Sequence, residues 1–177
     1  GENALDFLQK LTVNDIEKLQ IGQAQYSAIL NHNGGIIDDL IIYRKKKEFL
    51  LVVNAANIKK DYLWLKQNLI KNVKIEDISN KISLIALQGP NSRNFLSTLT
   101  EIDLMMPFYT FIEGIVCDGS VLLSRTGYTG ELGFEIYGNK EEIIIIWEEL
   151  LKLGVEPAGL ASRDILRMEM KYCLYGN

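Results

Sequence analysis

Histidine and cysteine are nearly absent from this chain. One histidine, His32, in 177 residues excludes a multi-histidine metal site. Two cysteines, Cys117 and Cys173, make neither a disulfide framework nor a metal cluster. Each is expected to be a small buried apolar residue, and a reducing compartment fits. No apolar run reaches the ~18 residues that span a membrane; Ile143–Ile146 is short and lies between Glu142 and Glu148. Positive charge is not in excess either. The net charge of −4 gives no overall basic field for nucleic acid. Internal repeats, low-complexity tracts and Pro/Ser-rich linkers are also missing, so the chain reads as continuous folded structure.

What is present is ordinary for a soluble globular protein: 47% hydrophobic and 24% charged residues. A chain of 177 residues forms one large domain or two small ones around a real core. Ala4, Phe7, Leu8 and Leu11 share one helix face, with Asn3 placed as N-cap. Gln25–Leu30, Ile36–Tyr43 and Phe49–Val53 read as strands of an antiparallel meander. Asn33-Gly-Gly35 turns the first hairpin, and the fully apolar third strand is expected at the centre. Ile58, Tyr62, Leu65 and Leu69 mark a second helix with Asn57 as cap. Strands follow at Val73–Ile78 and Ile82–Leu87, then a short helix after Pro90. A strand pair is expected near Phe108–Ile112 and Ile115–Cys117, with a turn at Asp118-Gly119. Asn139-x-x-Glu142 resembles a capping box for a helix burying Ile143, Ile146, Trp147 and Leu150, with Gly154 just past its end. Ala161–Cys173 is the last helix, apolar over much of its circumference. Strands and helices mix without regular alternation, so the class is α+β, antiparallel sheets with flanking helices. If there are two lobes, they are 1–88 and 89–177.

One stretch carries most of the chemical signal: Ser124-Arg-Thr-Gly-Tyr-Thr-Gly-Glu-Leu-Gly-Phe-Glu135. It reads as strand, loop, strand. Gly127, Gly130 and Gly133 permit close backbone approach, and Tyr128 sits among them. Such a loop suits a flat polar heteroaromatic ligand. It is equally a glycine-rich hairpin with a surface tyrosine, and the residues alone leave both readings open. Asp38 and Asp39 are adjacent on a strand and so point to opposite faces. One should be solvated or cap the turn while the other faces across the sheet. Glu135 alternates with the core-facing Phe134 and Ile136. Arg163 and Asp164 fall in the first turn of the last helix, where Asp164 suits the helix dipole or pairs with Arg167.

The stretch resembles the SRTGYTGExGFE signature of the glycine cleavage system T proteins, tetrahydrofolate-dependent aminomethyltransferases. Further matches run in order: Gly34-Gly-Ile-Ile-Asp-Asp39, Val53-Asn-Ala-Ala-Asn57, Ala86-Leu-Gln-Gly-Pro90, Pro157-Ala-Gly-Leu-Ala-Ser-Arg-Asp164 and Cys173-Leu-Tyr-Gly176. Together they cover almost the whole chain. The resemblance implies the aminomethyltransferase folate-binding fold, with interleaved lobes around a folate channel. It implies that Asp39 is the catalytic acid that orients the pterin, and that Glu135 accepts from the pterin N–H edge. Arg163 then belongs to the folate site, Tyr26, Tyr43, Tyr109 and Tyr128 line its walls, and Asn54 reads a polar edge. Asp39, Tyr109, Tyr128, Glu135 and Arg163 are expected to meet in one cavity.

The activity so implied moves the aminomethyl carbon from the lipoyl carrier protein to tetrahydrofolate and releases ammonia, without a metal, a membrane or nucleic acid. The alternatives are a folate-binding non-transferase of the iron–sulfur assembly type and a tetrahydrofolate-dependent demethylase. Location is expected to be the cytoplasm, or the mitochondrial matrix in a eukaryote. The family's chains are about twice as long, so this one is expected to be an internal fragment that does not catalyse the transfer alone. Leu132 stands where the family usually has Asp, and Ala161-Ser162 where it usually has Gly-Ala; His32 takes a variable turn position without a role.

Overall fold

The computed structural model describes residues 1–176. They group into two units, Gly1–Ser79 and a second that begins at Asn80. The first opens with α1 (Ala4–Leu11), whose Phe7, Leu8 and Leu11 are buried as their spacing requires. Asn3 occupies the N-cap position without capping. Its amide instead donates to the Lys71 carbonyl at 2.9 Å, tying down the start of the helix.

Strands β1 (Ala24–Leu30), β2 (Ile36–Arg44) and β3 (Phe49–Val53) form an antiparallel sheet in that order. Asn31 shapes the first hairpin: its Oδ1 accepts from the backbone N–H groups of Asn33 at 2.9 Å and Gly35 at 3.0 Å. The central strand is β2, not β3. All five β3 residues are only half-buried, because β3 is an edge that pairs with β2 alone. An unbroken apolar run signals cover on both faces but says nothing of partners on both sides. Helix α2 (Ile58–Gln67) buries Leu65 and, unexpectedly, Asp61. Leu69 falls beyond its end. The core joins Phe7, Leu8, Ile16, Ile29, Leu40, Ile42 and Leu65. The strand expected at 73–78 is irregular chain. Val73 and Ile75 pack against the core without a ladder partner, and alternation alone cannot supply one.

The second unit holds a four-stranded antiparallel sheet, β4 (Ser83–Gln88), β5 (Phe111–Val116), β6 (Gly119–Ser124) and β7 (Gly133–Gly138), in the order β4-β7-β6-β5. The pairing of β4 with β7 places it in this unit. A short helix, α3 (Ser92–Leu96), follows Pro90. The expected strand pair around residues 108–117 is the single strand β5. Gly114 lies inside it opposite Val121, with the end of Ile102 packed over it. The turn is Cys117-Asp118, both left-handed at φ 49° and 65°, and Gly119 opens β6. Helix α4 (Lys140–Lys152) starts with a complete capping box. Its Ile143, Ile146 and Leu150 join Leu87, Leu123, Phe134 and Ile136 in the core. Trp147 lies on the outer side, 43% exposed. Helix α5 (Leu160–Glu169) is shorter than expected and buries no residue; Leu160 is 84% exposed. No helix is long and apolar enough to cross a membrane among the described residues.

Candidate functional site

In the first unit, period-two alternation along β2 separates the two aspartates as the sequence implies. Asp38 turns inward with Leu40 and Ile42 and is 0% exposed. It is thus the member of the pair that faces inward rather than one solvated or capping the turn. Asp39 lies on the opposite face, half-buried, across from Ala28. Both of its oxygens are engaged: Tyr26 Oη donates to Oδ2 at 2.8 Å, and Asn54 Nδ2 to Oδ1 at 2.6 Å. The same Asn54 nitrogen donates to Asp38 Oδ1 at 2.8 Å. Asn54 precedes the turn into α2, so one amide joins the two strand carboxylates. Tyr26, Asp39 and Asn54 are thus brought together. Tyr43, two pleats along the same face as Asp39, is 0% exposed.

Beneath Asp39 the electrostatics are unusual. Burial and hydrogen bonding to Asp38 push the Asp61 carboxyl up to about 8. Burial also raises Asp38, but the polar side chains of Asp61, Asn54 and Asn57 beside it outweigh that and hold the carboxyl below its ordinary value. Asp61 was not legible as a site residue: an aspartate in a helix between lysine and tyrosine reads as solvated surface.

In the second unit, Glu135 is half-buried on β7 between the fully buried Phe134 and Ile136. Its Oε2 accepts a hydrogen bond from Thr126 Oγ1, and Tyr137 Oη donates to it at 3.3 Å. Thr126 also lies 2.8 Å from the buried Ser124 Oγ. Gln88 locks the hairpin from below. Its Nε2 donates to the Thr126 carbonyl at 3.2 Å and the Phe134 carbonyl at 3.1 Å. A Cβ on Gly127 or on Gly133 would come within 2.1 Å of its Oε1. These two glycines therefore serve close approach. Gly130 is left-handed at φ 74°.

Tyr128 meets Arg163 and the tail of α5. The Arg163 guanidinium lies 4.4 Å from the Tyr128 ring centroid, and the Tyr128 and Tyr172 rings are near-parallel, 16° apart in plane, with centroids at 5.8 Å. The Tyr128 hydroxyl donates to the Cys173 carbonyl. Arg163 is the fourth residue of α5, which begins at Leu160, one position earlier than expected, and its N–H closes the first turn on the Gly159 carbonyl at 3.3 Å. The same offset places Asp164 past the helix start, where it pairs with Arg167 at 2.7 Å. Tyr109 has a left-handed backbone, φ 61°. Burial, then the charge of Glu135 and Tyr172, raises its hydroxyl above the ordinary tyrosine value. A cleft of about 240 Å³ opens beside these residues, lined by Phe108, Arg125, Gly127, Glu131 and Tyr172. Arg125 stands over Phe108 and Phe134 and donates to the Gly133 carbonyl at 3.0 Å. Cys173 is exposed rather than buried; Cys117 is half-buried, its thiol pushed up by burial and by Glu149 and Asp118.

The sequence model of the GCVT N-terminal domain matches residues 1–177. The chain belongs to this family. A curated relative named aminomethyltransferase from Halalkalibacterium halodurans is 48% identical, covering 99% of this chain and 50% of its own length. One of the same name from Flavobacterium psychrophilum is 47% identical over 100% of this chain and 51% of its own. The crystal structure of the glycine cleavage system aminomethyltransferase T from Bartonella henselae superposes with a TM-score of 0.85 at 36% identity, covering 99% of this chain and 48% of that one. This GCVT-domain chain spans about half the length of the curated relatives it matches. The match to a solved aminomethyltransferase accords with the antiparallel sheets and flanking helices described above.

Proposed function

We propose that this chain supplies the folate-binding part of an aminomethyltransferase of the glycine cleavage type. The whole enzyme moves the aminomethyl carbon from the dihydrolipoyl arm of its carrier protein to tetrahydrofolate and releases ammonia. Tetrahydrofolate is the acceptor substrate, the lipoyl carrier is the partner, and the cytoplasm is the proposed location. The observation that carries this reading is Asp39: a half-buried carboxylate with one oxygen on Tyr26 and the other on Asn54. A carboxylate fixed at both oxygens keeps lone pairs in set directions. It accepts from an N–H of the acceptor and holds the nucleophilic nitrogen in line with the incoming carbon. Orientation of this kind contributes several kcal/mol of the roughly 7–11 kcal/mol that proximity can supply.

Glu135 supports the same reading from the second unit. Its Oε2 takes both intramolecular hydrogen bonds, which leaves Oε1 to accept from a donor such as a pterin amino group or ring N–H. Tyr128, backed by Arg163, offers an aromatic face, and Tyr109 a second. In the full-length protein, Asp39→Asn is expected to lose most of its carrier-dependent ammonia release while staying folded and binding tetrahydrofolate. Near-normal turnover with the lipoyl carrier rules the assignment out. Folate binding without any carrier-dependent turnover in the unaltered protein points to the non-transferase or demethylase readings instead.

A further inference from the structure

Two carboxyl groups are buried together behind Asp39, and the reading above gives them no task. Asp38 and Asp61 are 0% and 1% exposed. Of their four oxygens only Asp38 Oδ1 has a hydrogen-bond donor, the Asn54 amide. Asp38 Oδ2 and both oxygens of Asp61 are shielded from solvent with no donor among the described residues. Two ionised carboxylates side by side in that state are strongly disfavoured, since each loses hydration and repels the other. One proton resolves all of it. Placed on Asp61, it turns an orphaned oxygen into a donor towards Asp38. Asp38 is the member that stays ionised, because it accepts from Asn54 and lies beside the Asn57 amide.

The pair connects to Asp39 through a single atom. Asn54 Nδ2 has two hydrogens; one goes to Asp38 Oδ1 at 2.8 Å and the other to Asp39 Oδ1 at 2.6 Å. The anchor of that amide is therefore the charge on Asp38. We propose that Asp61 and Asp38 share one proton in the folded protein, and that Asp61 acts thereby as a positioning residue for Asn54 and Asp39. Other charges facing the pair are few. Lys60 favours ionisation of Asp61, and Asp39 opposes it. The Lys60 ammonium is itself turned to the Ile37 carbonyl at 2.6 Å. The raised Asp61 carboxyl, about 8, agrees with the geometry.

The test uses the full-length protein labelled with 13C at the aspartate carboxyls, followed by NMR from pH 4 to pH 9.5. One aspartate signal is expected to titrate with a midpoint near 8 and to vanish in Asp61→Asn, which keeps the shape and a donor but cannot ionise. The Asp39 signal, assigned with Asp39→Asn, is expected to shift with the same midpoint in the unaltered protein and to ignore that range in Asp61→Asn. If every aspartate has finished titrating by pH 5, the shared proton is wrong. If the step near 8 is present and Asp39 does not sense it, the positioning role is wrong. Neither titration depends on the proposed activity, and the first needs no variant. The bearing on catalysis does rest on the role given to Asp39: turnover falls as pH rises through 8, and the Asp61→Asn profile loses that limb. Failure of this last arm alone, with both titrations as expected, counts against the role of Asp39 and leaves the shared proton standing.

Discussion

Asp39 and its neighbours show how much a single position can depend on groups remote in sequence. Tyr26 comes from β1, Asn54 from the end of β3, and both reach the same carboxylate. Tyr26 is 44% exposed, so Tyr26→Phe removes one anchor with little effect on folding. A hydrogen bond to a charged group is worth about 1.5–3 kcal/mol, and turnover of the full-length enzyme is expected to fall about tenfold in steady-state assays. Glu135→Gln keeps the shape and loses the charge; calorimetric titration should show tetrahydrofolate affinity lowered about tenfold or more, as charge-assisted hydrogen bonds are roughly twice as strong as neutral ones. Asp61 leaves a mark on stability as well. Its folded carboxyl is raised to about 8, so its contribution is whole below the ordinary carboxylate value and is lost as pH rises towards 8. The unfolding constant gains up to about tenfold per pH unit over that window, and Asp61→Asn should flatten the dependence in urea titrations at several pH values. The lowered Asp38 acts in the opposite sense, its contribution being lost as pH falls below the ordinary value. The opposite-face rule for Asp38 and Asp39 was readable from strand alternation. The burial of Asp61 was not, because a polar residue is drawn into a core only by a partner from another element.

Secondary elements were legible where local chemistry is complete. The Asn139 capping box is present in full, Asn139 Oδ1 accepting from Glu142 N at 2.9 Å and Glu142 Oε2 accepting from Asn139 N at 3.1 Å. Glu142 does more than the motif requires: its Oε1 also accepts from Ser120 N at 3.0 Å, tying α4 to β6. Asn139→Ala is expected to cost about 1 kcal/mol, measured as a shift of the denaturant midpoint. The signature hairpin depends on a side chain from outside it. Gln88 on β4 fills the space beneath Gly127 and Gly133, which gives the Ala86-Leu-Gln-Gly-Pro90 motif a mechanical role. Gly133→Ala expels that amide, leaving the Phe134 and Thr126 carbonyls short of a donor. A loss of about 1–3 kcal/mol is expected, against a change of a few tenths for an alanine on the exposed side of α4. The failures share one cause. The expected strand at 73–78, the expected strand pair around 108–117 and the central place of β3 were all inferred from composition along one segment, whereas ladders are settled between segments.

At the scale of the molecule, each unit carries candidate residues of its own: Tyr26, Tyr43, Asp39 and Asn54 in the first, Tyr109, Tyr128, Glu135 and Arg163 in the second. The chain covers about half the length of its relatives, and α5 leaves Ile165 53% and Met168 51% exposed. Residues 1–177 taken alone are expected to give no carrier-dependent ammonia release, because a substrate arm held incompletely keeps the freedom that productive orientation removes; robust release from these residues overturns that expectation. Family membership, the α+β class, the two hairpins and the capped helix were determined by the sequence alone, since turn residues, caps and alternation act within a few positions of one another. The place of β3 at an edge, the exposure of α5, the clamp of Gln88 under two glycines and the proton-sharing carboxyls behind Asp39 were decided only in the tertiary structure. Each of these depends on groups tens of residues apart, and burial, hydrogen bonding and charge at a site are properties of what surrounds it in space.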